Sequence, residues 1–227
     1  MAGFVRLLIG LALLPACWGV TRVLVDAILA AADSNGGLSV EAIALLGGIV
    51  AFVFCWLALP HPVRTYVFGH ELTHALWGLI FGARPSDVRV SASGGSVKLT
   101  KTNLLITLAP YFFPFYTFLV IVTALVTSAF LRPLPFLPLW MSLIGFTWAF
   151  HALFTLETLA QRQPDVKLYG RLFSWTFIYV VNVCIVLLWL VATTPLTFDR
   201  LADVTSSRLT TAYQGVFQAF RSLFPSR

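Results

Sequence analysis

Long apolar runs, separated by short polar links, are the feature that most limits how this chain can fold. Hydrophobic residues make up 59% of its 227 residues, and charged residues only 11%. A soluble domain is about one quarter charged, whereas a helix needs about 20 apolar residues to cross the hydrocarbon core of a bilayer. The composition therefore predicts an all-α polytopic membrane protein, with residues 1–227 forming one embedded domain.

Six of these runs are predicted to form transmembrane helices. Their predicted ranges are 4–30, 42–59, 63–82, 104–130, 139–159 and 172–191. The apolar character resumes after Cys17, which favours a first transmembrane helix over a cleaved signal peptide. Arg22 and Asp26 lie one helical turn apart in this run, so we expect them to form an ion pair.

Proline and glycine mark where the runs end or break. The residues Asp-Ser-Asn-Gly-Gly at 33–37 predict the turn that ends the first run. Pro110 and Pro114 lie inside the fourth run and predict a break there, since a proline removes a backbone hydrogen bond. Within a membrane, such a break is tolerated only where protein or a water-filled cavity satisfies the backbone.

The three cysteines all lie within apolar runs, at Cys17, Cys55 and Cys184. None of them forms a Cys-x-x-Cys pair. We therefore expect buried small hydrophobic side chains rather than disulfides or metal ligands.

The link after the third run differs from the others. Polar and apolar residues alternate over 87–93 and again over 96–100, and Gly94-Gly95 lies between these segments. This pattern predicts a β-hairpin with a glycine turn. Its free edge could hold a substrate peptide in extended form, and a plain connecting loop is the alternative.

The tail over 196–227 repeats apolar residues at roughly helical spacing, with arginines among them. It is predicted to be an amphipathic helix lying at the lipid interface. The net charge of +6 is thinly spread along the chain. We therefore expect the basic residues to set the membrane orientation and to contact anionic lipids, and we expect no nucleic-acid partner.

The basic residues also predict the orientation in the membrane. The denser group comprises Arg84, Arg89, Lys98, Lys101, Arg162, Lys167 and Arg171. By the positive-inside rule this group is cytoplasmic. The hairpin and Asp165 are then on the cytoplasmic side and both termini lie outside, in what we expect to be a bacterial inner (plasma) membrane.

The third run contains the sequence His70-Glu71-Leu72-Thr73-His74, which has the pattern HExxH. On a helix the two histidines lie one turn apart on one face and can chelate one zinc ion. Glu71 can then act as a base toward a water molecule that the metal activates. Ionisable residues inside a membrane helix are costly, which favours a functional site over packing contacts between helices.

A catalytic zinc site is expected to have three protein ligands. The candidates for the third are Asp165, Glu157, His151 and, more distantly, His61. Asp165 follows a proline at a predicted helix boundary and ranks narrowly above Glu157. Its alternative role is that of an N-cap for the last span.

The HExxH run, the glycine-containing hairpin, Ala109-Pro110 and Pro164-Asp165 resemble the site-2 protease family of intramembrane zinc metalloproteases. The resemblance implies a three-helix core over 63–180, with 1–60 as additional helices. It implies His70, His74 and Asp165 as zinc ligands and Glu71 as catalytic base and acid. The implied substrate is a membrane-embedded protein, held in extended form along the 87–100 hairpin.

The chain departs from that family at two places. Val166 follows Asp165 where the family has a glycine, and Tyr111-Phe112-Phe113-Pro114 stands where it often has an asparagine. That asparagine stabilises the oxyanion, and Asn103 or Asn182 are the candidates to replace it. A non-proteolytic membrane scaffold or chaperone that retains the zinc fold is therefore the alternative function. A metal-ion transporter is a third, although the spans show no half-to-half symmetry.

Overall fold

Helices account for most of the chain, as the apolar runs require. The computed structural model describes residues 2–34, 39–91, 94–161 and 163–223. In these ranges the α-helices are α1 (Ala2–Ser34), α2 (Val40–Ala58), α3 (Val63–Ile80), α4 (Leu104–Leu108), α5 (Phe115–Phe130), α6 (Leu137–Ala160), α7 (Pro164–Tyr169), α8 (Arg171–Thr193) and α9 (Phe198–Leu223). The strands are β1 (Pro85–Ser91) and β2 (Gly94–Leu99), and a short 3₁₀ helix covers Ala109–Tyr111. The architecture agrees with the predicted helical membrane protein that carries a small β-hairpin.

Four of the described helices are long and apolar enough to cross a membrane, namely α1, α2, α6 and α8. A fifth span results if α4 and α5 are counted as one bent span. The helix α3 does not reach the same hydropathy, because His70, Glu71 and His74 interrupt its apolar residues. The predicted count of six spans is therefore not confirmed.

The fourth predicted run is broken where its prolines lie. Pro110 falls in the 3₁₀ helix and Pro114 precedes the first residue of α5. The segment Leu104–Tyr111 and α5 meet at an angle of 83°. The predicted break is confirmed, and it turns the α4 end of this segment toward α3.

The hairpin is confirmed, but its glycines do not form the turn. β1 and β2 pair antiparallel, with Ser91 opposite Gly94 and Val90 opposite Gly95. Both glycines therefore belong to β2. The connection at 92–93 lies outside the described residues.

An irregularity in β1 is held by an exposed cluster of charges. The register shifts between Ser86 and Arg89, and Asp87 has a left-handed φ of 51°. The Asp87 carboxylate lies 2.7 Å from Lys98 Nζ and 3.0 Å from Arg89 Nε. These two cations hold the pKa of the Asp87 carboxyl below its usual range.

The chain divides into two compact units, and the first comprises residues 1–37 and 166–227. Here α1, α8 and α9 pack around a cluster that includes Val20, Val23 and Leu187. The first predicted turn does not begin at Asp33, since α1 continues to Ser34, and residues 35–37 lie outside the described ranges.

The tail forms the long helix α9, which packs on α1 and α8. Leu201, Val204 and Leu209 contact their apolar cluster. Arg208 Nε lies 2.7 Å from Asp26 Oδ2. The expected partner of Asp26, Arg22, is thus replaced by an arginine from the tail. The position of α9 at a lipid interface remains a prediction.

The second unit, residues 38–165, contains the HExxH helix. α2 and α6 cross at two glycines. A Cβ atom on Gly48 would collide with the backbone of Ser142, and one on Gly145 would collide with the backbone of Leu45. The helices approach so closely because neither glycine carries a side chain. An aromatic cluster of Phe52, Tyr66, Phe150 and Phe154 then joins α2, α3 and α6.

The cysteines are free, as predicted, but their burial differs from the prediction. Cys17 and Cys55 are partly buried and Cys184 is exposed on α8. The expected burial is therefore wrong for Cys184. Its exposed position on a helix that is apolar enough to span a membrane suits a small side chain facing lipid.

Candidate metal centre

The HExxH residues lie on the face of α3 that packs against the rest of the second unit. Glu71, Thr73 and His74 are buried, and His70 is nearly so. Gly69 permits this packing, since a Cβ atom there would come within 2.7 Å of the Tyr116 ring on α5. The predicted helix thus presents both histidines to the interior.

His70, His74 and Asp165 converge on one point. Asp165 Oδ2 lies 3.5 Å from His70 Nε2 and 3.5 Å from His74 Nε2. One candidate ligand atom from each residue lies within 4.8 Å of the others. In the part of the chain that the structure describes, this cluster could hold a metal ion.

The ring orientation of His74 supports a ligand role. Its Nδ1 lies 2.9 Å from the Ile106 carbonyl oxygen. Because a carbonyl oxygen only accepts, Nδ1 carries the hydrogen, and Nε2 of the neutral ring presents a lone pair toward Asp165. A lone pair that faces a carboxylate oxygen needs a cation or a proton between them, and a metal ligand is held in this way.

The spacing of the donors around Asp165 suits a small tetrahedral metal ion. A tetrahedral zinc ion with bonds of about 2.0–2.2 Å places its ligand atoms roughly 3.3–3.5 Å apart. The two nitrogen-to-oxygen distances to Asp165 match this spacing. Two imidazoles and one carboxylate are also a donor set of catalytic zinc sites that keep a fourth position open.

Asp165 is positioned by the first turn of α7 and by a tyrosine. The carboxylate does not cap α8, the last predicted span, since Gly170 occupies its N-cap. The Tyr111 hydroxyl donates a hydrogen bond to Asp165 Oδ2 (3.2 Å). Burial works against the charge of this carboxyl, but His70 and His74 hold its pKa below the usual range.

Tyr111 is the site residue that sequence reasoning missed. It is fully buried and its ring meets the His70 ring edge to face, with the centroids 5.3 Å apart. The available signal was its position directly after Ala109-Pro110 in a broken span, as the one hydroxyl-bearing aromatic in Tyr111-Phe112-Phe113. The bend at the helix break brings the Tyr111 hydroxyl within hydrogen-bonding distance of the Asp165 carboxylate.

The other candidates for the third ligand do not join the cluster of His70, His74 and Asp165. His61 Nε2 lies 3.1 Å from the Trp56 carbonyl oxygen, and His61 Nδ1 lies 3.8 Å from Glu157 Oε2. His151 is buried and does not belong to the three-residue cluster found among the described residues. The structure therefore brings Asp165, rather than Glu157 or His151, to the two histidines.

Glu71 is covered by the hairpin. A Cβ atom on Gly95 would come within 2.8 Å of Glu71 Oε1 and 2.7 Å of Val67 Cγ1. Gly95 is thus needed for the close approach of β2 to α3, which explains why the glycine lies in a strand. The approach places the backbone of β2 beside the candidate catalytic base.

The oxyanion donor remains unassigned. The Asn103 side chain accepts from the Ile106 N–H (2.9 Å) and caps α4. The Asn182 amide donates to the Ile178 carbonyl oxygen of its own helix (2.9 Å). Neither of these hydrogen bonds assigns the residue to catalysis.

Comparison with models of known families, with curated proteins and with solved structures gave no match to this chain. The resemblance to site-2 proteases therefore rests on the residues themselves, and the functional argument rests on their geometry.

Proposed function

We propose that this protein is a zinc metalloendopeptidase of the membrane, which cleaves a membrane-embedded protein substrate. One observation carries the proposal. His70 and His74 of the HExxH helix meet Asp165, far along the chain, at distances suited to a tetrahedral metal ion. Ionisable side chains gathered among apolar helices favour a functional site.

The roles of the residues follow from their chemistry. His70, His74 and Asp165 hold the zinc ion, and Tyr111 fixes the carboxylate that completes the set. When bound, zinc supplies a Lewis acid that activates water and polarises the scissile carbonyl group. Glu71, next to the first histidine, accepts a proton from the attacking water and delivers it to the leaving amine.

The hairpin is proposed to hold the substrate. A peptide bond within a transmembrane helix is protected by its own hydrogen bonds, so the substrate must unwind locally before it is cleaved. An extended segment can add to a free edge of the hairpin through backbone hydrogen bonds. The contact between Gly95 and Glu71 supports this role, because it holds β2 beside the base.

The proposal is tested by the variant Glu71→Gln. We expect it to fold and bind zinc as the wild type does, because Glu71 is not a ligand, and to lose cleavage of a membrane substrate by about 10²–10⁴-fold. The readouts are zinc content and cleavage in reconstituted vesicles.

Glu41→Gln, in the first turn of α2, is the matched control and should leave cleavage unchanged. Cleavage at the wild-type rate by Glu71→Gln would refute the role of Glu71 as base.

A non-proteolytic scaffold that binds zinc is the second candidate. One observation favours it, namely that the two candidate oxyanion donors, Asn103 and Asn182, form hydrogen bonds with the backbone of their own helices. Chelation discriminates the two. Removing zinc abolishes cleavage if the protein is a peptidase, whereas a scaffold would show no cleavage before or after chelation.

A further inference from the structure

The two candidate metal-binding histidines differ in how their second ring nitrogen is satisfied. His74 Nδ1 donates to the Ile106 carbonyl oxygen. His70 Nδ1 is buried and has no hydrogen-bond partner among the described protein atoms. A histidine that binds a metal through one nitrogen almost always donates the other N–H, which fixes its ring. His70 therefore requires an acceptor that the neighbouring protein atoms do not supply directly.

A small cavity lies beside His70. It offers about 20 Å³ to a water molecule, and its lining includes His70, Thr73 and His151. About 10–15 Å³ measured in this way is enough to hold one water molecule, provided that two to four polar groups surround it. The cavity is therefore large enough for one ordered water.

His151 also lines this cavity. Its Nε2 atom is buried without a partner among the described residues. The backbone of Tyr111 lies close to this ring. A hydrogen on Nδ1 leaves the lone pair of the ring on Nε2. Nε2 of the neutral ring is then an acceptor.

We propose that one ordered water molecule in this cavity accepts a hydrogen bond from His70 Nδ1–H and donates one to His151 Nε2. Its second hydrogen can be donated to the Thr73 hydroxyl oxygen, whose own hydrogen is already given to the Gly69 carbonyl (2.7 Å). Three hydrogen bonds are typical of a buried water. This arrangement satisfies both orphaned nitrogens with one molecule.

His151 is then a positioning residue for the metal ligand His70. The inference rests on the proposed metal site, because Nδ1 of His70 is a donor only when Nε2 faces the metal. The inference gives a role to His151, a buried histidine that is not itself a metal ligand.

The test is a titration of the full-length protein in detergent with Co²⁺, followed by its visible absorption, and with Zn²⁺ in competition. The variant His151→Leu removes the acceptor at similar volume. We expect it to weaken metal binding by about 10–100-fold and to alter the Co²⁺ spectrum. His151→Gln, whose amide oxygen can accept from the water, should recover part of the affinity.

Thr155→Val is the matched control. Thr155 lies one turn further along α6 and is buried, but it does not line the cavity. We expect its metal affinity to stay within about twofold of the wild type. If His151→Leu does not fold, His151→Met provides a second apolar variant at the same position.

Three results would overturn the inference. One is wild-type affinity in a folded His151→Leu or His151→Met variant. Another is an equal loss of affinity in Thr155→Val, which would show a packing effect. The last is a wild-type protein that binds neither metal, which would refute the metal site as well. This experiment measures metal binding and not proteolysis. A protein that binds the metal but does not cleave substrate would therefore refute the proposed peptidase without affecting the inference about His151.

Discussion

Asp165 shares a single carboxylate oxygen among several partners. Its Oδ2 atom faces the Nε2 atoms of both histidines and also accepts the Tyr111 hydroxyl. Outer hydrogen bonds of this kind orient a ligand, and the loss of one typically lowers metal affinity by about 10–100-fold. At the scale of single residues, the strength of the site therefore depends on Tyr111 as well as on the HExxH residues.

The variant Tyr111→Phe is expected to weaken zinc binding by about tenfold, because the carboxylate loses its orienting donor. The fold should be kept, since Phe preserves the buried ring. Competition with a zinc chelator measures the change. Tyr116→Phe, which removes a hydroxyl bonded to the Thr65 carbonyl oxygen, is the control and should bind zinc as before. Equal affinity in both variants would contradict the role of Tyr111.

The residues of the candidate metal cluster were predictable from the sequence, whereas the contacts that position them were not. HExxH fixes a spacing along one helix, and Pro164-Asp165 marks a boundary, so both are visible in the residue order. The hydroxyl of Tyr111 reaches Asp165 only because of the angle at a helix break. Likewise, Gly95 was assigned to a turn because glycine favours turns, but the structure requires it for the approach to Glu71.

At the scale of elements, the predicted helix ends agree with the structure to within a few residues wherever a long apolar run is bounded by polar or proline residues. The pair of glycines that brings α2 and α6 together was not predicted. A glycine inside an apolar run does not reveal which neighbour it faces. Gly47 and Gly48 are adjacent in sequence, but only Gly48 meets another helix.

This difference gives a prediction for helix packing. Gly48→Ala is expected to destabilise the protein by about 1–3 kcal/mol, because the added methyl collides with the α6 backbone. Gly47→Ala has open space and should leave stability unchanged or raise it by up to about 1 kcal/mol. Thermal unfolding in detergent measures both. A lower stability of Gly47→Ala than of Gly48→Ala would contradict the described crossing.

At the scale of the whole molecule, large apolar side chains cover much of the surface. Phe130 is 83% exposed and Leu57 is 80% exposed. Exposed apolar surface of this extent is stable in contact with lipid and not with water. The bilayer is therefore part of the environment in which this structure exists.

The predicted topology is tested by single cysteines in a background where Cys17, Cys55 and Cys184 are replaced by serine. We expect Ser96→Cys, on the exposed hairpin, to react with a membrane-impermeant maleimide only after the inner membrane is opened. Leu131→Cys, at the end of α5, should react in intact cells. The reason is the denser basic charge near the hairpin, which the positive-inside rule places in the cytoplasm.

The reverse labelling would contradict the orientation. Labelling of both cysteines from the same side would contradict the fourth predicted span, and would make the bent pair Leu104–Tyr111 and α5 a re-entrant segment.

The most direct test of the metal centre is the zinc content of the purified protein and of two matched carboxylate variants. We predict about one zinc ion per chain in the wild type and in Glu157→Gln, and a much lower content in Asp165→Asn, because Asp165 meets both histidines and Glu157 does not. A wild-type protein without zinc, or a loss of zinc in Glu157→Gln but not in Asp165→Asn, would contradict the account.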